Sequence, residues 1–183
     1  MNNRQSTAYQ LPASRSITLV LFVLTLLCAA PAVVAQVDDD PDAAPPPLKL
    51  VPKTERDQLL GQSDLKGRAK MSLTFMEGHL ANAEKLAASD STGTFRELGM
   101  FEAIMEDVLT YLERNDTGND KSLDAYKKLE MGLRPFMARI ETVRRSLPLD
   151  CDDYVRKLMV NLRDARAKAM DPLFSDSVVR NDE

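Results

Sequence analysis

Four stretches of the chain carry apolar residues at alternating spacings of four and three. Ala69, Leu73, Met76, Leu80, Ala83 and Ala87 form the first, and Leu98, Phe101, Met105, Val108 and Leu112 the second. Tyr126, Leu129, Leu133, Phe136, Ile140, Val143 and Leu147 form the third, and Cys151, Val155, Leu158, Leu162, Ala165 and Ala169 the fourth. Residues so spaced fall on one side of a helix with about 3.6 residues per turn, so each stretch predicts an amphipathic helix with one face to bury. No segment alternates with period two for long enough to predict a strand. Short connections favour antiparallel neighbours, so the expected fold is all-α, an up-down-up-down four-helix bundle over residues 54–174.

Punctuation between the stripes agrees with this pattern. Thr94 and Glu97 have the spacing of a capping box, in which hydroxyl and carboxylate each satisfy an orphan amide at a helix start, and Asp150 is placed to cap the fourth helix. "SDSTG" and "NDTGND" separate the first three helices, while Pro148 and Pro172 are expected to stop the third and fourth. Pro135 lies inside the third stripe, which continues in phase on both sides; a kink near Gly132 to Pro135 is expected, rather than a chain reversal. A short helix from Thr54 to Leu60 is expected ahead of the bundle.

Upstream, "ITLVLFVLTLLCAAPAVVAQ" (residues 17–36) is the most apolar stretch. Its strongly apolar part ends near Leu27, short of the roughly 20 residues that span a bilayer, and small residues follow, with Val33 and Ala35 at the minus 3 and minus 1 positions of a cut before Gln36. Residues 1–35 therefore read as a signal peptide, and the mature chain as periplasmic or secreted, with no transmembrane segment. Retention of the leader would instead anchor the chain to a membrane at its N-terminus. A lipoprotein reading of Cys28 is disfavoured, because Leu26 and Leu27 stand where a lipobox takes small residues. Residues 36–53, acidic and then Pro-rich, read as a disordered linker, and 175–183 as a polar tail.

Charge sharpens the picture. The formal net charge is -4, and losing Arg4 and Arg15 with the leader makes it more negative, so nucleic acid is not an expected partner. From Lys121 to Lys168 there are 12 Lys or Arg against 7 Asp or Glu, whereas Gln36 to Asp120 holds 9 against 17. Complementary pairing across the surface is the plain reading. The sharper one is a basic face of Arg139, Arg145, Arg156 and Arg163 that meets anionic lipid headgroups or envelope polymers.

Candidate chemistry is sparse. The chain has one His, and it lacks a Gly-rich phosphate loop, a CxxC, a haem-attachment CxxCH and the Glu-x-x-His pairs of di-iron bundles. Most enzyme classes lose support, and no cofactor is expected. His79, with Met76 one turn before it, offers a nitrogen and a thioether that suit copper(I), or haem held within a bundle. A boundary histidine and a packing methionine account for the same pair. Met71, Met100, Met105, Met131, Met137, Met159 and Met170 likewise read as core filler in a chain without Trp, or as an adaptable recognition surface. Cys151 is the one cysteine left after cleavage, either buried in phase with the fourth stripe or bridging a homodimer. "NDTGND" lacks calcium-loop spacing and reads as a turn, although "NDT" is formally a glycosylation sequon.

"LTFME" at Leu73 to Glu77 resembles the Leu-Thr-x-x-Gln motif of small periplasmic helical stress proteins and chaperones, with Glu77 in place of the Gln and no second copy. The resemblance implies an exported helical binder and carries no site residue. The expected function is thus a non-enzymatic interaction or binding module of the periplasm or cell envelope, its partner a protein or an anionic surface; the alternative is a bundle that binds a small ligand or metal.

Overall fold

The structure, a computed structural model, describes residues 44–174. The expected signal peptide and polar tail lie outside the described residues. Within them all regular structure is helical: α1 (Lys53–Gly61), α2 (Leu65–Leu86), α3 (Ser91–Asn115), α4 (Asp120–Leu133), α5 (Phe136–Ser146) and α6 (Asp152–Phe174), the last preceded by a 3-10 turn at Leu149–Cys151. No helix among the described residues is long and apolar enough to cross a membrane.

The stripes are the core. Every stripe residue is buried except Leu147, which is partly buried and packs against the same cluster. α2 lies along α3 and α4, α4 along α6, and α5 against both α6 and α2, while α1 rests on α2. Phe101 on α3 and Phe136 on α5 meet edge to face, with ring centroids 5.3 Å apart, and both are buried. Truncating such a ring to Ala typically costs about 3–5 kcal/mol, so these contacts dominate the local energetics. The methionines mostly serve packing: Met76 and Met105 are buried and Met137 and Met159 pack against the core, whereas Met131 and Met170 are exposed.

Helix starts follow side-chain caps. Asp64, Asp90 and Asn119 accept hydrogen bonds from Gly67, Gly93 and Ser122 amides, each satisfying a donor that the helix leaves unpaired. The expected capping box is therefore displaced. α3 begins at Ser91, one turn before Thr94, because Asp90 caps it; Thr94 is buried and donates to the Asp90 carbonyl at 2.8 Å. Asp150 falls in the 3-10 turn rather than at a helix cap. Pro172 does not end the last helix, which runs through it to Phe174.

At Pro135 the ladder breaks while the backbone stays helical. Arg134 (φ -53°, ψ -49°) and Pro135 (φ -70°, ψ -20°) link α4 to α5 without reversing the chain. Proline at the N-cap of α5 gives up an amide that has no partner within α5, so the break costs little. The "NDTGND" turn closes on itself: Gly118 adopts φ 63°, its amide bonds Asp116, and Asn119 caps α4.

Candidate functional site

Several polar arrangements join the helices, and three of them centre on buried side chains of α2 and α3. His79, buried on α2, bonds Glu97 of α3 through Nδ1 at 2.8 Å and Glu55 of α1 through Nε2 at 3.1 Å. A neutral ring donates through one nitrogen only, so which carboxylate receives the ring proton depends on the tautomer. Arg68, also buried, donates to the Leu59 carbonyl at the end of α1 and to Asp107 of α3 at 2.8 Å, and its guanidinium lies 4.2 Å over the Tyr111 ring. On the far side of α3, Glu102 is 1% exposed yet fully engaged. It accepts from the Tyr154 hydroxyl at 3.0 Å and Asn161 Nδ2 at 2.6 Å, and pairs with Lys49 Nζ at 2.9 Å. Burial, with the Glu102 carboxylate beside it, pushes the Tyr154 hydroxyl well above its ordinary pKa.

Lys49 belongs to the stretch expected to be a free linker. From Ala44 to Pro52 that stretch has no helix, as expected, but it is held to the domain as a strap. The Ala44 amide donates to the Asp150 carbonyl at 2.8 Å. Gly99 allows the strap to lie close: a Cβ there would stand 2.8 Å from the Leu48 carbonyl oxygen and 3.1 Å from Pro47 Cβ. Lys49 Nζ reaches Glu106 at 2.6 Å as well as Glu102. Burial alone would lower its ammonium's pKa, but the hydrogen bonds to Glu106 and Glu102 outweigh it and hold the group above its ordinary value. Between the strap and α3 lies an open pocket of about 400 Å³, lined by Ala44, Pro45, Pro47, Leu48 and Phe95, with Arg96, Asp150 and Cys151 among its other walls.

The sequence-predicted residues are distributed differently from expectation. His79 and Met76 do not converge as ligands: both ring nitrogens face carboxylates and Met76 is fully enclosed in the core, so a metal on His79 would have to displace Glu55 or Glu97. The basic face is largely neutralised within the chain. Arg139 forks onto Glu84 and Glu77, Arg145 pairs with Glu141, and Arg156 with Asp152, which leaves Arg163 without an ion pair among the described residues. The Arg139 hydrogen bond holds Glu84 below its ordinary range, and Arg144 with Arg145 lowers Glu141 to about 2. Cys151 is free and 4% exposed. Burial, then Asp150, pushes its thiol up to about 11, so it is a protonated, poor nucleophile at neutral pH. A bridge to a second copy requires this thiol to leave the core.

Sequence reasoning missed the strap and Glu102. Nothing in the local sequence marks Glu102 as buried or Lys49 as its partner. Gly99, a glycine inside a helical pattern, was the available signal, since such a residue weakens a helix unless a close approach requires it. Compared with known protein families, curated proteins and solved structures, the chain matches none of them.

Proposed function

We propose that the chain is an exported, non-enzymatic interaction module of the periplasm or cell envelope: an antiparallel four-helix bundle, its third helix broken at Pro135, released by cleavage near Ala35. The reading rests above all on how the buried ionisable groups are used. His79, Arg68 and Glu102 each spend their hydrogen bonds on tying one element to another, so they build a scaffold rather than a reaction centre. Recognition then falls to surface features. Leu48 and Leu149 are 86% and 92% exposed, the first lining the pocket beside the strap and the second next to Asp150 of the same pocket. Large apolar side chains left in water around a concavity are what a contact surface presents.

The test is made in cells that express the full-length chain with a photo-crosslinking amino acid at Leu149, or at exposed Glu113 as a control. The expected result is a soluble exported fraction whose mass begins at Gln36, with discrete adducts from position 149 and none from 113. Recovery of uncleaved chain from the cytoplasm, or equal labelling at both positions, would overturn the reading.

A further inference from the structure

Phe95, Gly99, Glu102 and Glu106 follow one another at spacings of four, three and four, so they share one face of α3. The strap uses all of them. Phe95 lines the pocket with Pro45 and Pro47, Gly99 admits Pro47 and the Leu48 carbonyl, and Glu102 and Glu106 share the Lys49 ammonium. The face thus offers an aromatic wall to the pocket that the prolines line, a close backbone approach, and a site for a cation two residues after Pro47. We propose that this face of α3 is a groove for an extended, proline-rich, lysine-bearing peptide, occupied in cis by the strap, and that a partner segment of the same chemistry engages the domain by displacing it. The proposal rests on the interaction-module reading and gives that module its surface and its partner's chemistry.

Three observations separate a displaceable occupant from a permanent part of the core. First, Leu48 and Leu50 are 86% and 56% exposed, and from this segment only Ala44 and Val51 pack against the core cluster. Burial therefore contributes little to holding the strap down. Second, apart from the Arg56 hydrogen bonds to the Val51 and Pro52 carbonyls where the strap runs into α1, its remaining attachments are the Ala44 to Asp150 backbone hydrogen bond, the approach at Gly99 and the Lys49 pairs, which a segment from outside can reproduce. Third, the groove's acidic end is preorganised. Glu102 is also held by Tyr154 and Asn161, neither of which belongs to the strap, so lifting the strap leaves a positioned carboxylate without its cation. A positioned carboxylate forms charge-assisted hydrogen bonds with a replacement cation, which makes an open groove selective for a lysine. Proline suits the rest of the groove, because a chain already close to polyproline geometry loses little freedom on docking.

A strap held in cis competes at an effective concentration in the millimolar range, so an outside peptide binds measurably only once the strap is weakened. The full-length protein with Lys49→Glu sets the strap's own charge against Glu102 and Glu106. Lys49→Gln removes the attraction without adding repulsion and is measured alongside, with circular dichroism to verify folding. The probe is a fluorescein-labelled APPPLKLVP peptide, the sequence of residues 44–52, read by fluorescence anisotropy.

Saturable binding is expected to both variants, at least about tenfold tighter than to the wild type. Replacing the probe's lysine by glutamate, or adding Gly99→Ala to the variant, is expected to abolish it. No binding by either folded variant, or binding indifferent to the probe's lysine, would overturn the proposal. Such a failure leaves export and the adducts at Leu149 intact, whereas loss of those adducts would strike the interaction-module reading itself.

Discussion

A methyl group at position 99 sets two effects against each other. Inside a helix, Gly→Ala ordinarily gains about 1 kcal/mol. Here the added carbon would stand 2.8 Å from the Leu48 carbonyl oxygen, a backbone atom that cannot swing aside as a flexible side chain does. The strap must lift, and because it buries few apolar groups its loss leaves the helices standing. Gly99→Ala is therefore expected to keep the unfolding free energy in urea within about 1 kcal/mol of wild type while trypsin cuts after Lys49 several-fold faster, as the mass of the first fragment would show; an unchanged cutting rate would mean that the strap is not seated on Gly99. At His79 the opposite balance holds. His79→Ala leaves Glu55 and Glu97 facing each other without the ring between them, so a loss of about 1–3 kcal/mol in urea unfolding is expected.

Helix pairs are governed by how closely their backbones approach. Gly132 on α4 faces Leu73 on α2, and a Cβ at 132 would stand 2.3 Å from Leu73 Cδ1 and 3.0 Å from its Cγ. Leu73 is buried and must repack to make room. Overpacking of this kind costs about 1–3 kcal/mol, which exceeds the propensity gain of about 1 kcal/mol. Gly132→Ala is thus expected to lower the thermal midpoint, and Leu73→Ala in the same chain to return part of the loss; a higher midpoint for the single variant would mean that α2 and α4 are not in contact there. The same logic explains what sequence disclosed and what it hid. Apolar periodicity is a local property that burial reads directly, so the stripe residues of α2, α3, α4 to α5 and α6 were legible, as was an interruption without chain reversal at Pro135. Caps were less so, because Asp90 and Thr94 both fit a helix start and the choice between them depends on where the whole of α3 sits. The strap left only Gly99 as a sign: Lys49 and Glu102 are far apart in the chain, and composition described a linker without saying what it would lie against.

Over the whole molecule, ionisation sets two edges to stability. Glu84, Glu130, Glu141 and Asp152 are each held below their ordinary range, foremost by a hydrogen bond from an arginine, and Glu141 falls from 4.5 to about 2. A depressed carboxyl stabilises the fold above its unfolded pKa and gives that up as pH falls through the folded one. The acid edge is therefore expected to open near pH 4.5 and run towards about 2. At the alkaline end the shift has the other sign. Burial raises the Cys151 thiol from 9.0 to about 11, and burial raises the Tyr126 hydroxyl from 10.0 to about 12. The unfolded chain then loses these protons first, so the stabilisation is complete below pH 9.0 and declines as pH climbs towards about 11 and 12. A urea midpoint plotted against pH should show a plateau between these edges. Cys151→Ala should delay the alkaline decline until the tyrosine range while leaving the acid edge in place, because the thiol contributes only to the first alkaline step. An alkaline edge that does not move in Cys151→Ala would mean that the thiol is solvated in solution, and with it that the end of the domain beneath Ala44 is open.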